Sequence, residues 1–109
     1  MFRSKFSAGC VLALLLLAGA GQTFAFTAGS DTFKAKCAVC HGQDGAGNTP
    51  LGQRMKVRDL RSADVQKQST EALTAIVATG QKAMPGFSKS LDAEKINEVV
   101  SFIRSIAAK

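Results

Sequence analysis

The stretch Cys37-Ala38-Val39-Cys40-His41 places two thiols three positions apart and the chain's only histidine directly after the second. These residue types at this spacing permit three kinds of chemistry. The cysteines could form a redox-active disulfide, or the three side chains could contribute ligands to a zinc site. As C-x-x-C-H, the pattern is also the attachment signal for a c-type haem.

The disulfide and zinc interpretations find little support in the surrounding sequence. A thioredoxin-like dithiol needs a strand before the motif, but residues 31–36 are helix-forming and contain no β-branched run. A structural zinc site needs four ligands. The chain has no second histidine, and its third cysteine, Cys10, lies in a predicted leader. A zinc site would therefore have to recruit a carboxylate.

A covalent haem uses every functional group of the motif. The thiols of Cys37 and Cys40 would add across the two porphyrin vinyl groups as thioethers, and His41 would bind the iron. One helical turn separates the two cysteines by roughly 4.5 Å along the helix axis, and the small Ala38 and Val39 between them let the porphyrin edge approach. The sequence predicts one covalently bound haem c per chain.

The sixth iron ligand is the next question, and two methionines follow the leader. Met84 lies between Gly80 and Gly86 and directly before Pro85, and a following proline favours extended backbone over helix. Met55 is flanked by basic residues, and we interpret it as a core residue that fills a gap. We therefore predict His41 and Met84 as the metal ligands, with Met55 or an open iron position as the alternatives.

The first 25 residues have the features of a secretory signal peptide. Arg3 and Lys5 precede an apolar stretch from Ala8 to about Ala20, and Thr23-Phe24-Ala25 resembles a cleavage site. The apolar run is shorter than the roughly 20 residues that span a bilayer. We predict cleavage near Ala25, export to the periplasm and a mature domain of residues 26–109, with a retained anchor as the alternative.

The mature chain is one small domain with a mildly basic charge. Removal of the leader leaves twelve basic and eight acidic residues, a net charge of +4 with no run of like charges. The pI of about 9.6 could suggest nucleic-acid binding, but no arginine cluster or aromatic platform supports it. We expect no nucleic-acid partner and a monomer.

Hydrophobic periodicity and capping residues predict an all-α fold. We expect helices from about Ser30 to Cys40, from Thr49 to Met55, from Ser69 or Thr70 to Gly80, and from about Asp92 onward. The last helix carries an apolar stripe, Ile96, Val99, Val100, Ile103 and Ile106. No stretch resembles a strand of any length.

These motifs together resemble the class I cytochromes c, the small soluble monohaem cytochromes of bacterial respiratory and photosynthetic chains. The resemblance runs from about Gly29 to Lys109 and rests on C-x-x-C-H, on Met84-Pro85 and on the C-terminal amphipathic helix. It implies a cytochrome c fold of three to five helices wrapped around one haem, in which the first and last helices cross closely.

The resemblance also implies roles for individual positions. At the crossing, a glycine of one helix admits an aromatic side chain of the other. A proline carbonyl orients the haem histidine, and Pro50 is the candidate in the right loop. The family's common tryptophan or tyrosine near the haem propionates has no counterpart here, so the propionate partners stay undefined. The matching positions are Gly29, Phe33, Val99 and Phe102 at the crossing and Phe87 near the axial methionine.

His/Met ligation predicts a one-electron carrier and not an enzyme. A soft thioether favours ferrous iron, and two filled axial positions leave no place for oxygen or peroxide. Expected partners are membrane redox complexes, such as a quinol-oxidising complex and a terminal oxidase or reaction centre. Lys36, Lys82 and Lys89 are candidates for steering an acidic partner or for ordinary solvated lysines. If Met84 does not bind iron stably, a peroxidase-like or gas-binding haem protein is the alternative.

Overall fold

The computed structural model describes the backbone of residues 20–108 and the side chains of residues 28–108. Six helical segments follow one another in this part of the chain: α1 (Ala20–Lys36), α2 (Ala38–His41), α3 (Pro50–Met55), α4 (Ala63–Gln66), α5 (Thr70–Thr79) and α6 (Ala93–Ser105). Within the same residues the β structure is limited to one isolated bridge, between Gln81 and Met84. The predicted all-α fold is confirmed.

The N-terminal helix differs from the prediction at both ends. It begins at Ala20 and not near Ser30, because the ten residues before Ser30 contain no proline and continue the helical backbone. It ends at Lys36, where Cys37 departs from helical geometry with φ −114° before α2 resumes the turn. Residues 1–19 of the predicted leader lie outside the described residues, and no helix described is long and apolar enough to cross a membrane.

Helices α1 and α6 cross at close range. A Cβ atom added to Gly29 would lie 2.1 Å from the main-chain oxygen of Glu98, so only glycine permits this approach. Beside it, the rings of Phe33 and Phe102 pack with their centroids 4.9 Å apart. Phe33 and Val99 are fully buried. The crossing predicted from the glycine and aromatic positions is confirmed.

Polar N-cap residues fix the starts of the three predicted helices after the motif, as Ser62 does for α4. Thr49, Ser69 and Asp92 precede α3, α5 and α6, and each side chain accepts a hydrogen bond from a main-chain N–H of the first turn. Such caps satisfy donors that have no partner within the helix. The predicted starts of these helices are correct to within about one residue.

The single turn α4 was not predicted, and α6 holds it in place. The Gln66 amide donates to the main-chain oxygens of Leu60 and Ile103, both at 2.8 Å. Arg104 of α6 in turn donates to the main-chain oxygen of Gln66 at 2.7 Å. These bonds attach the segment between α3 and α5 to the C-terminal helix.

The core lies between α1, α5 and α6. Its buried apolar residues among those described are Phe33, Cys37, Val65, Leu73, Val77, Leu91, Ile96, Val99, Val100, Phe102 and Ile103.

Candidate haem-binding site

A cavity of about 290 Å³ opens beside this core, and the four predicted site residues all line it. Cys37, the N-cap of α2, and Cys40 and His41, its last two residues, line the cavity from one side, and Met84 reaches it from the loop after α5. Most of its other lining is apolar, including Phe33, Leu73, Ile76, Val77, Phe87, Val99 and Ile103. The sequence motif and the late methionine therefore meet at one apolar space.

The turn that carries the motif is fixed by main-chain contacts. The Thr49 hydroxyl donates to the main-chain oxygen of Cys40 at 2.8 Å and accepts from the N–H of Gly52 at 2.8 Å. The Gly47 N–H donates to the main-chain oxygen of His41 at 2.7 Å. A Cβ on Gly52 would lie 2.1 Å from the Cys40 oxygen. Helix α3 thus packs directly on the C-x-x-C-H turn and holds its orientation.

His41 presents a neutral, incompletely bonded imidazole to the cavity. Burial lowers its pKa, and the nearby main-chain carbonyl of Arg58 opposes this shift. The Nδ1 atom of His41 is buried and makes no hydrogen bond with the described residues. The predicted bond from His41 to the Pro50 carbonyl is therefore wrong for this structure. Pro50 instead begins α3, and the segment that passes the imidazole is the one containing Arg58.

The two cysteines are thiols in this structure and form no disulfide with each other. Burial, followed by the proximity of Cys40, raises the pKa of the Cys37 thiol to about 11. Redox-active C-x-x-C pairs need the opposite shift, because the thiolate is the nucleophile. The environment of Cys37 therefore argues against the dithiol redox alternative.

A zinc site also lacks a ligand set in the part of the chain described. No group of three or more His, Cys, Asp and Glu side chains there is placed to hold a metal ion. The carboxylate that a zinc site would have to recruit is not close to Cys37, Cys40 and His41.

The loop that carries Met84 is closed by its own backbone. Gln81 and Met84 exchange main-chain hydrogen bonds of 3.1 and 2.9 Å, and Lys82 between them has a left-handed φ of 55°. At the base of the loop, Gly80 has φ 82°, and a Cβ there would lie 2.6 Å from the Met84 oxygen. The half-buried Met84 side chain packs against the core. Phe87 lines the same cavity, as predicted.

Met55 does not fill a gap in the core as predicted. It is 42% exposed and lies at the end of α3, where its side chain also lines the cavity.

Cations surround the cavity and include two that the sequence analysis missed, Lys56 and Arg58. Lys36, Lys56, Arg58 and Lys82 line it, and no Asp or Glu does so among the residues described. Lys89, predicted near the same edge, is exposed and is not part of the lining. Residues 56–60 show no helical periodicity in the sequence. The only sequence signal for their place at the cavity is that they include basic residues soon after the motif.

Comparisons with known proteins find haem-binding cytochromes. The family described as "Cytochrome C oxidase, cbb3-type, subunit III" matches residues 24–103. Cytochrome c6 of Nostoc sp. is 36% identical over 105 residues, which cover 85% of this chain and 89% of that protein. The chain belongs to the class I cytochrome c family. A solved "KustC0563 c-type cytochrome" superposes on this cytochrome with a TM-score of 0.68 at 28% identity, covering 73% of this chain and 98% of the other.

A larger relative contains the same kind of domain. The cytochrome c subunit of a quinone-type alcohol dehydrogenase from Gluconacetobacter polyoxogenes is 34% identical over 71% of this chain, but the match covers only 18% of that subunit.

The cofactor of this cytochrome is covalently bound haem c, in accordance with its family. The residues present fit such a group. An apolar cavity meets both thiols of C-x-x-C, and the half-buried imidazole of His41 lines the same space.

Proposed function

We propose that this cytochrome is a periplasmic one-electron carrier in which Cys37 and Cys40 hold the haem and His41 and Met84 are its axial ligands. The observation that carries the proposal is that the C-x-x-C-H turn and the Met84 loop line one apolar cavity. When bound, the haem supplies a ferrous–ferric couple that exchanges one electron.

Packing favours Met84 over Met55 as the second axial residue. If His41 binds the haem iron, a second axial residue would have to reach the cavity from the side away from His41. Met55 ends α3, which packs directly on the turn that carries His41. Met84 follows α5, which packs against α6, and its loop is held by two main-chain hydrogen bonds. A thioether held in this way excludes oxygen and peroxide and favours the reduced state.

Charge and exposed apolar surface indicate how the carrier would meet its partners. Lys36 and Lys82 are exposed and line the cavity, and Val39, which also lines it, is 65% exposed. We propose that this edge docks on acidic patches of membrane redox complexes, such as a quinol-oxidising complex and a terminal oxidase or reaction centre. Steering of this kind weakens with salt, because the Debye length is about 10 Å at 0.1 M.

Substitution of the two methionines tests the ligand assignment. Met84→Ala should abolish the weak long-wavelength absorption band of methionine-bound ferric haem. It should also lower the reduction potential and open the iron to carbon monoxide, because a coordination position is vacated. The matched control, Met55→Leu, should keep the band and the potential and change stability by less than about 1.5 kcal/mol.

The opposite pattern, in which Met55→Leu loses the band and Met84→Ala keeps it, would reverse the assignment. Avid carbon monoxide binding by the wild-type protein, with no such band, would replace the carrier by a gas-binding or peroxidase-like protein.

A further inference from the structure

The segment that follows α3 presents Arg58 at the cavity in a fixed backbone frame. The N–H of Val57 donates to the Gly52 oxygen at 3.0 Å, and the N–H of Leu60 donates to the Gly45 oxygen at 2.8 Å. Val57, Arg58 and Leu60 all line the cavity. Because bonds on both sides hold this segment, the position of the Arg58 backbone is set by the fold.

The carboxylate nearest to Arg58 in the sequence is already engaged. Arg61 donates to Asp59 through its Nε at 3.0 Å and its Nη2 at 3.1 Å, and the Arg61 N–H adds a third bond at 2.9 Å. A second carboxylate, Asp44, also lies 4.0 Å from the Arg61 guanidinium. Both of these carboxylates, Asp59 and Asp44, therefore interact with Arg61.

Arg58 is left as an unpaired cation at the edge of the cavity. Its guanidinium makes no ion pair or hydrogen bond with any residue that the structure describes. The described lining of the cavity contains no Asp or Glu that could serve as its partner. A haem carries two carboxylates, and the chain has neither tryptophan nor tyrosine to donate to them.

We propose that the Arg58 guanidinium binds a propionate carboxylate of the haem. This inference rests on the proposed attachment of the haem through Cys37, Cys40 and His41 in this cavity. A guanidinium is a planar fork that pairs with a carboxylate through two parallel hydrogen bonds, and a lysine ammonium cannot reproduce this geometry. The pair places a positive charge near the iron and thereby favours the reduced state.

The test compares the reduction potentials of purified holo-proteins. Arg58→Gln should lower the potential, because removal of a nearby cation favours ferric iron. Arg58→Lys should restore part of the loss. The control is Arg54→Gln, which removes the same charge from an exposed residue that does not line the cavity, and it should leave the potential close to that of the wild type.

The salt dependence of the shift in reduction potential distinguishes a directly bonded carboxylate from a distant surface charge. At 1 M salt the Debye length is about 3 Å, so a shift caused by direct pairing should persist there, whereas a shift caused by a distant surface charge should disappear. A shift in Arg58→Gln that vanishes at 1 M salt, or that equals the shift in Arg54→Gln, would overturn the proposal. If Arg58→Gln does not accumulate, a wild-type potential in Arg58→Lys would overturn it equally.

The outcome is distinguishable from failure of the electron-carrier function. If Arg58→Gln changes only the salt dependence of electron exchange with a partner and not the potential, Arg58 belongs to the docking surface and the propionate proposal is wrong. In that case the wild-type protein would still show methionine-bound haem. Loss of the carrier function itself would appear in the wild-type spectrum.

Discussion

Gly29→Ala tests how strictly the crossing of α1 and α6 controls the haem cavity. The added Cβ would lie 2.1 Å from the Glu98 main-chain oxygen, against about 3.4 Å for ordinary contact. The obstacle is backbone inside α6, so no side chain can rotate away. The two helices must therefore separate locally by roughly 1.3 Å, the difference between these distances.

The expected change in the free energy of unfolding follows from two opposing effects. Alanine in place of glycine inside a helix stabilises it by about 1 kcal/mol. Overpacking of a close contact costs about 1–3 kcal/mol and sometimes more, and a gap of about 1 Å forfeits up to half of each dispersion contact. Phe33 and Val99, both fully buried beside the crossing, would lose such contacts. We expect a net loss of about 2 kcal/mol, because the displaced atoms belong to main chain.

Denaturant and thermal unfolding of the holo-protein measure this loss. A loss of about 2 kcal/mol corresponds to a melting temperature roughly 8–16 °C lower for a domain of this size. Lys34→Ala, on the exposed side of α1, is the control and should change the free energy of unfolding by less than about 0.5 kcal/mol. If Gly29→Ala unfolds at or above the wild-type temperature, helix propensity outweighs the contact and the two helices are not in close contact there.

Two further substitutions or measurements test the attachment and the leader. Cys37→Ala combined with Cys40→Ala should abolish covalent haem, seen as loss of the haem mass after denaturation, and should leave the chain unfolded by circular dichroism; a stable helical apoprotein would show that the cofactor is not needed to complete the core. The protein purified from periplasm should begin close to Phe26 by mass spectrometry, and retention of residues 1–25 would instead make it a membrane-tethered carrier.

The elements that could be predicted from the sequence are those with local signals. Asp92 caps α6, and a regular apolar stripe follows it. Ser69 caps α5 in the same way. The crossing could be predicted because Gly29 and Phe33 matched a known pattern. Such signals lie within one helix or one motif, and tertiary packing does not override them.

The features that were missed depend on contacts between distant segments. The turn α4 has only four residues, too few for any periodicity, and Gln66 holds it to the C-terminal helix. The exposure of Met55 depends on which side chains pack against the end of α3. The approach of Arg58 to the cavity depends on hydrogen bonds to Gly45 and Gly52 at its two ends. Apart from the Ser62 N-cap of α4, these placements have no local sequence signal.

The overlap between the core and the haem cavity explains why a domain this small can depend on its cofactor. Among the described residues, seven of the eleven buried apolar side chains also line the cavity. Small domains bury a limited fraction of their surface and often need a disulfide, a metal or another group to complete the core. Here Phe33, Val77 and Val99 face both the protein interior and the haem space. A group bound there would therefore complete the hydrophobic core, and we expect haem binding and folding stability to be coupled in this cytochrome.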